Sequence, residues 1–349
     1  MFLSILVPYY NEGEEVIRPL LDSIKFQQNI DLSTIEVIIC KDGDSGQDLS
    51  KEFLDSYPYT IQYHTEPKGG VSRMRNQAFG YSKGDYVMWC DCDDQFYHCL
   101  AFWLIQRETT TPMQVMVDGM QTTVNGFDAL YAVFLEEQRD PQSGATFFID
   151  RKDGFQFVHG KVFRREFLVK NDIHFFDECT IHEDNVLNAQ VQACTKYIKW
   201  CPQPFYLWKW RDNSVCRRDP LYIKRTYPDL IKSSDCLLTW LTSKGKTDKA
   251  KESVVAITLD SYYVFCHPSW KSIETQEYRD GAERCFAKYF HKWEYLWNEA
   301  SDQLKMQISS GIRQREVQMG MEMETETLDQ YIKRMKESVR QMMSEKKDS

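Results

Sequence analysis

Short apolar runs alternate with helically spaced stretches over the first part of the chain. Phe2 to Val7, Ile35 to Cys40, Thr60 to His64 and Tyr86 to Cys90 are rich in β-branched and aromatic residues and are predicted as strands. Between them, Ile17, Leu20, Leu21 and Ile24 recur at helical spacing, as do Leu49, Phe53 and Leu54, and then Met74 and Ala78 behind Gly69-Gly70. Pro19 fits such a helix only near its first turn. The Val-Ile-Ile content of the second run suits a strand buried on both faces. Repeated strand–helix units predict a mostly parallel, twisted sheet with helices on both faces.

The pattern then loosens. Val115 to Gly126 reads as one or two antiparallel strands, and Phe155 to Phe163 as another strand followed by a helix from Arg164 to Asn171. Val186, Leu187, Val191 and Ala193 mark an amphipathic helix behind His182-Glu183-Asp184, and Tyr197 to Trp200 and Phe205 to Trp210 are short aromatic strands. Beyond Pro220 helical spacing dominates, which divides the chain into an α/β domain, 1–218, and a mainly helical C-terminal region, 219–349. Leu304, Ile308, Ile312 and Met319, and then Leu328, Ile332, Met335, Val339 and Met342, form an apolar stripe that Gly311 and Gly320 are expected to interrupt. Such a stripe packs on its own domain or serves as a self-association seam in a homo-oligomer.

Composition narrows the class. Hydrophobic residues make up 42% of the 349 positions, enough for a sizeable core. The net charge of -9 argues against general affinity for nucleic acid or an anionic membrane surface. No apolar run approaches the roughly 20 residues that span a bilayer. The start, Met1-Phe2-Leu3-Ser4, lacks a basic leader segment and reads as a strand. Eleven cysteines without a Cys-x-x-Cys pair suggest reduced thiols and a cytoplasmic setting.

The candidate chemistry gathers at strand ends, where open α/β sheets bind ligands. The fourth run empties into Asp91, Asp93 and Asp94. Three carboxylates so close repel one another unless hydrogen-bond donors or a hard divalent ion offset them. Pro8-Tyr9-Tyr10-Asn11-Glu12 ends the first strand and offers groups for a nucleobase and its sugar, or else an ordinary turn with Asn11 as a helix cap. Asp42 offers an acceptor for an imide N–H, or an Asx-turn. Gly69-Gly70 starts a helix whose bare N–H groups favour an anion, and Arg75 on it either holds a phosphate or shields the acidic cluster. In His182-Glu183-Asp184, one carboxylate is a candidate general base, or both are helix-dipole partners; His182 is a metal ligand or a neighbour. Arg211, Asn213 and Ser214 offer donors for a diphosphate, or a polar loop.

In order, these segments resemble glycosyltransferase family 2, the inverting nucleotide-sugar enzymes of GT-A fold. Pro8-Tyr9-Tyr10-Asn11-Glu12 stands where that family has Pro-x-Tyr-Asn-Glu, and Lys41-Asp42-Gly43-Asp44 where it has Asp-Asp-Gly-Ser. Gly69-Gly70 through Arg75-Asn76, Lys83-Gly84-Asp85-Tyr86, Asp91-Cys92-Asp93-Asp94, Lys161 through Arg164-Arg165, and Glu183-Asp184 match its later motifs. The resemblance covers roughly residues 1–215. Lys41 and Cys92 depart from it, the first by placing a cation beside the base-binding acid. No Gln-x-x-Arg-Trp motif of the processive synthases is present.

The resemblance implies a metal-dependent single displacement from a UDP-sugar to an acceptor hydroxyl on a glycan, a cell-wall or surface polymer, or a lipid-linked acceptor, of the hexosyl- or N-acetylhexosaminyltransferase class. Asp42 with Tyr9 or Tyr10 would hold uracil. Arg75 and Asp91 would contact ribose or phosphates, and Asp93, with Asp91, would hold Mn²⁺ or Mg²⁺. Asp184 would deprotonate the acceptor, with Glu183 beside it. Two rival readings are a transferase acting on modified DNA bases and a non-catalytic nucleotide-sugar-binding scaffold. Peripheral membrane contact is compatible with a lipid-linked acceptor.

Overall fold

The computed structural model describes residues 1–44, 46–110, 115–118, 120–124, 131–132, 157–195, 198–201, 205–209, 225–273, 275–318 and 326–345. Contacts divide the chain into two compact units, Met1–Gly144 with Lys152–Arg211, and Ala145–Arg151 with Asp212–Ser349. The boundary expected at 218 falls outside the described residues, as do Arg211, Asn213 and Ser214.

In the first unit β1 (Leu3–Tyr9), β2 (Ile35–Asp42), β3 (Thr60–Glu66) and β4 (Tyr86–Trp89) run parallel. They belong to a seven-stranded sheet completed by β6 (Val115–Asp118), β9 (Lys161–Arg164) and β10 (Ile198–Cys201), in the order β10-β6-β9-β4-β1-β2-β3. Only β9 runs against its neighbours. A second, four-stranded sheet follows the order β5-β11-β7-β8, formed by β5 (Gln95–Phe96), β7 (Met120–Val124), β8 (Tyr131–Ala132) and β11 (Tyr206–Lys209). The segment 115–126 thus supplies one strand to each sheet rather than a hairpin. This mostly parallel mixed sheet with helices is the expected α/β class.

The core lies where the apolar runs predict it. Every residue of β2 is buried, as continuous apolar character in a central strand requires. Helix α1 (Glu14–Lys25) buries Ile17, Leu20, Leu21 and Ile24. Pro19 sits in its second turn, not its first; burying those four side chains, at about 1.5–3 kcal/mol each, outweighs the roughly 3 kcal/mol that an interior proline costs. The strand expected from 155 to 163 is shorter, beginning only at Lys161, because Gly160 takes a left-handed φ of 67°.

One polar network is built into the sheet away from the strand ends that carry the candidate chemistry. Glu36, 1% exposed, accepts from Ser4 Oγ at 2.6 Å, Gln62 Nε2 at 3.1 Å and the Lys83 amide at 2.7 Å. Gly84 donates its amide to Ser4 Oγ at 2.8 Å. A Cβ on Gly84 would meet Ser4 Oγ at 2.6 Å, and both the Ser4 amide nitrogen and the Tyr86 carbonyl at 2.7 Å. Backbone on two sides leaves it no room.

The second unit contains α7 (Tyr227–Ser243), α8 (Thr247–Cys266), α9 (Gln276–Glu299), α10 (Asp302–Gln318) and α11 (Leu328–Glu345). The predicted stripe divides between α10 and α11. Gly311 does not break α10, since one interior glycine costs only about 1 kcal/mol; Gly320 lies outside the described residues. In α11, Tyr331, Met335 and Val339 are buried, and the helix packs on α9 within its own unit. No helix among the described residues is long and apolar enough to cross a membrane.

Gly84→Ala is expected to lower stability by about 1–3 kcal/mol, the usual cost of forcing extra atoms into a packed interior. The midpoint of urea denaturation measures it, and an unchanged midpoint would contradict the close packing around Gly84.

Candidate active site

The carboxyl ends of β1, β2 and β4 present the sequence candidates together. Asp42 ends β2 and is 8% exposed. Its Oδ1 accepts the Gly69 amide at 2.7 Å and its Oδ2 the Gly70 amide at 3.0 Å. These are orphan donors at the start of α3 (Gly70–Tyr81), so the anion on that helix terminus is the chain's own carboxylate. This differs both from an Asx-turn and from a phosphate on Gly70. Gly70 has a φ of 81°, a conformation that suits glycine.

The cation expected to disturb Asp42 is neutralised. Lys41 is buried and donates to Asp48 Oδ1 at 2.5 Å, and Tyr63 donates to the same oxygen at 3.1 Å. Tyr9 is buried, with its hydroxyl on the Gln47 carbonyl at 3.3 Å, while Tyr10 is exposed. Pro8 lies in β1 just before them. Glu12 accepts the amides of Tyr10 and Asn11, both at 3.0 Å. Asn11 is not the cap of α1; Gly13 holds that position.

Arg75, on α3, is 4% exposed and joins the two acidic motifs. Its Nη1 donates to Asp184 Oδ1 at 2.6 Å and Glu183 Oε1 at 2.9 Å, and its Nη2 to Asp91 Oδ1 at 3.2 Å. Its guanidinium also lies over the Phe175 ring, 5.2 Å from the centroid. Of the two roles open to Arg75, the structure displays the shielding of carboxylates. Glu183 and Asp184 open α6 (Glu183–Cys194), where negative charge suits the helix dipole. The Val158 amide donates to Asp184 Oδ2 at 3.1 Å, so each oxygen of that carboxylate has a donor. One guanidinium does not balance three carboxylates. Burial first, and then the neighbouring Asp184, hold the Glu183 carboxyl up at about 7 against the pull of Arg75.

Asp94 lies deeper, 1% exposed, accepting from Tyr206 Oη at 2.6 Å and the Lys209 amide at 2.9 Å. Burial, and then Asp91 and Asp93, push its carboxyl well above the usual range. Tyr206 Oη also accepts the Asp91 amide at 3.3 Å. Among the described residues, one carboxylate oxygen each from Asp91 and Asp94 and an imidazole nitrogen of His159 all lie within 4.8 Å of one another. His159 is 4% exposed, with a buried Nε2 that has no hydrogen-bond partner. Burial lowers its proton affinity, to about 4, so the ring is neutral and keeps a lone pair. Asp93 and His182, expected as ligands, are not in this group; His182 stands at the start of α6 with a φ of 64°. The buried orphan nitrogen and the excess of carboxylates fit a divalent cation.

His159, Tyr206 and the Val158 amide were not singled out from the sequence. The signal was a histidine within an apolar strand pattern, directly before a glycine that ends it.

The family profile described as Glycosyl transferase family 2 matches residues 4–170. A poly(ribitol-phosphate) beta-glucosyltransferase of Bacillus spizizenii is 24% identical over 313 residues, covering 87% of this chain but only 46% of that protein's length. Glycosyltransferase GlyG of Streptococcus pneumoniae is 24% identical, covering 68% of this chain and 82% of its own. The solved structure of S. aureus TarS 1–349 in complex with UDP-GlcNAc superposes with a TM-score of 0.64 at 16% identity, over 90% of this chain and 92% of that one. The last likeness is one of fold, the GT-A architecture.

Two stability effects follow. Arg75→Met leaves three partly buried carboxylates without their shared cation and is expected to cost about 1.5–3 kcal/mol at pH 7.5 in denaturant titration. Glu183 holds its proton more tightly folded than unfolded, so its penalty is absent below pH 4.5 and complete above about pH 7. In metal-free protein Glu183→Gln is therefore expected to gain stability relative to wild type as pH rises through that window; a constant difference would refute the shift.

Proposed function

We propose, from the premise that through residues 4–170 this chain belongs to glycosyl transferase family 2, that it transfers a sugar from a UDP-sugar to a hydroxyl of a cell-wall polymer, with inversion. The single observation that carries this reading is the Arg75 bridge, which holds Asp91 of the acidic corner and Asp184 of the Glu-Asp pair on one guanidinium. A donor site and a base for the acceptor are thereby assembled side by side.

In this reading Asp42, Tyr9 and Tyr10 line the nucleobase end, and Asp91 and Asp94 hold the divalent cation. A bound Mn²⁺ or Mg²⁺ would supply Lewis-acid stabilisation of the departing diphosphate. Arg75 orients Asp184 with the Val158 amide, leaving that carboxylate positioned to take the acceptor hydroxyl's proton. Glu183 tunes the pair, its proton held by burial rather than given to solvent. The hydroxyl oxygen then bonds the anomeric carbon on the face opposite the diphosphate, whose bond breaks.

The acceptor class rests on the relatives named as poly(ribitol-phosphate) glycosyltransferases, and the donor class on the TarS complex with UDP-GlcNAc. The net charge of -9 speaks against nucleic acid as acceptor. A cytosolic setting is part of the reading, supported by the unbridged cysteines among the described residues.

Asp184→Asn is expected to cut transfer by roughly 10²- to 10⁴-fold while UDP still binds, and Glu183→Gln to keep measurable transfer. Calorimetry with UDP and a radiolabelled-sugar transfer assay check both. The reverse ranking would make Glu183 the base, and transfer undiminished in EDTA would remove the cation from the mechanism.

A further inference from the structure

The acidic corner has a neighbour of a different chemical kind. Asp91 and Asp94 are two of the three carboxylates that follow β4, with Asp94 in the place expected of Asp93. His159 reaches them from the turn before β9, a separate part of the chain. Two ligands of one ion, each at about 2.1 Å, can stand no more than roughly 4.2 Å apart. The three donor atoms lie within 4.8 Å of one another, about 0.6 Å beyond that limit, so a small side-chain adjustment would close them on one ion.

The ring is held as a ligand would need to be. It stacks on Phe157 at 5.0 Å and 11° and on Tyr206 at 5.2 Å and 15°. Tyr206 also donates to Asp94, so one tyrosine sets the position of both an oxygen and a nitrogen donor. The buried Nε2 makes no hydrogen bond, an arrangement that is costly unless something else engages the imidazole. Gly160, with its φ of 67°, ends the turn immediately afterwards, where a side chain would be strained.

We propose that His159 is a nitrogen ligand to the divalent cation, completing an Asp91–Asp94–His159 site. This rests on the metal-dependent reading above. An imidazole in the set favours a transition metal such as Mn²⁺ over Mg²⁺, which takes oxygen ligands by preference. His182, the histidine the sequence pointed to, is the natural alternative and the internal control.

The test is electron spin-echo envelope modulation on Mn²⁺ with UDP bound, using protein carrying ¹⁵N-labelled histidine so that uracil nitrogen is not mistaken for imidazole. Directly coordinated histidine ¹⁵N is expected in wild type and in His182→Asn, and lost in His159→Asn. Mn²⁺ affinity in His159→Asn should fall at least the roughly tenfold that loss of an outer-shell partner costs. Mn²⁺ bound without histidine nitrogen would overturn the proposal and leave the metal reading standing. Nitrogen lost in His182→Asn instead would assign the ligand to His182. Absence of Mn²⁺ binding in the presence of UDP would overturn both readings. Should His159→Asn not fold, the wild-type and His182→Asn spectra still decide.

Discussion

The candidate site is organised by a single buried guanidinium. Arg75 reaches Asp91 beyond β4 and the Glu183-Asp184 pair at the head of α6, two motifs separated by ninety-odd residues of chain. Removing either side from water would be costly alone; together they share one cation, and that mutual dependence fixes their spacing. The compensation is incomplete by charge count, and Glu183 shows it in its reluctance to lose a proton. A site left electron-rich in this way is prepared for further positive charge, whether a metal or an acceptor proton.

The surrounding fold presents these groups without being disturbed by them. Asp42 spends both oxygens on the α3 terminus, so the helix carrying Arg75 is anchored to the strand that ends beside it. Lys41, in β2 where the family it resembles has an acid, is matched by Asp48 in the loop that follows the strand. Sequence departure and compensation occur seven residues apart, and the charge balance there is kept.

Much of the α/β frame was legible because strand runs and helix stripes repeat with different periods over long windows. The acidic triplet, the double glycine and the Glu-Asp pair were legible because unusual residue types sit at strand ends and helix starts. What was not legible depended on contacts between distant segments. That Arg75 binds three carboxylates cannot be read from Arg75-Asn76 alone. That His159 rather than His182 faces Asp91 and Asp94 depends on a turn that Gly160 makes inside an apparently continuous strand. Asn11 as a cap and Gly311 as a break were local expectations that the structure does not follow: Gly13 caps α1, and α10 runs on through Gly311.

The Glu36 network has a reach beyond its own neighbourhood. Four segments meet on one carboxylate and one serine, and slipping any strand by a single residue would strand a buried charge among apolar side chains. Six residues along the same strand, roughly 20 Å at about 3.3 Å per residue, stands Asp42. The sheet is thus indexed from its far margin, like a ruler clamped at zero. Alignment of the candidate site is inherited from a polar knot that lies outside it.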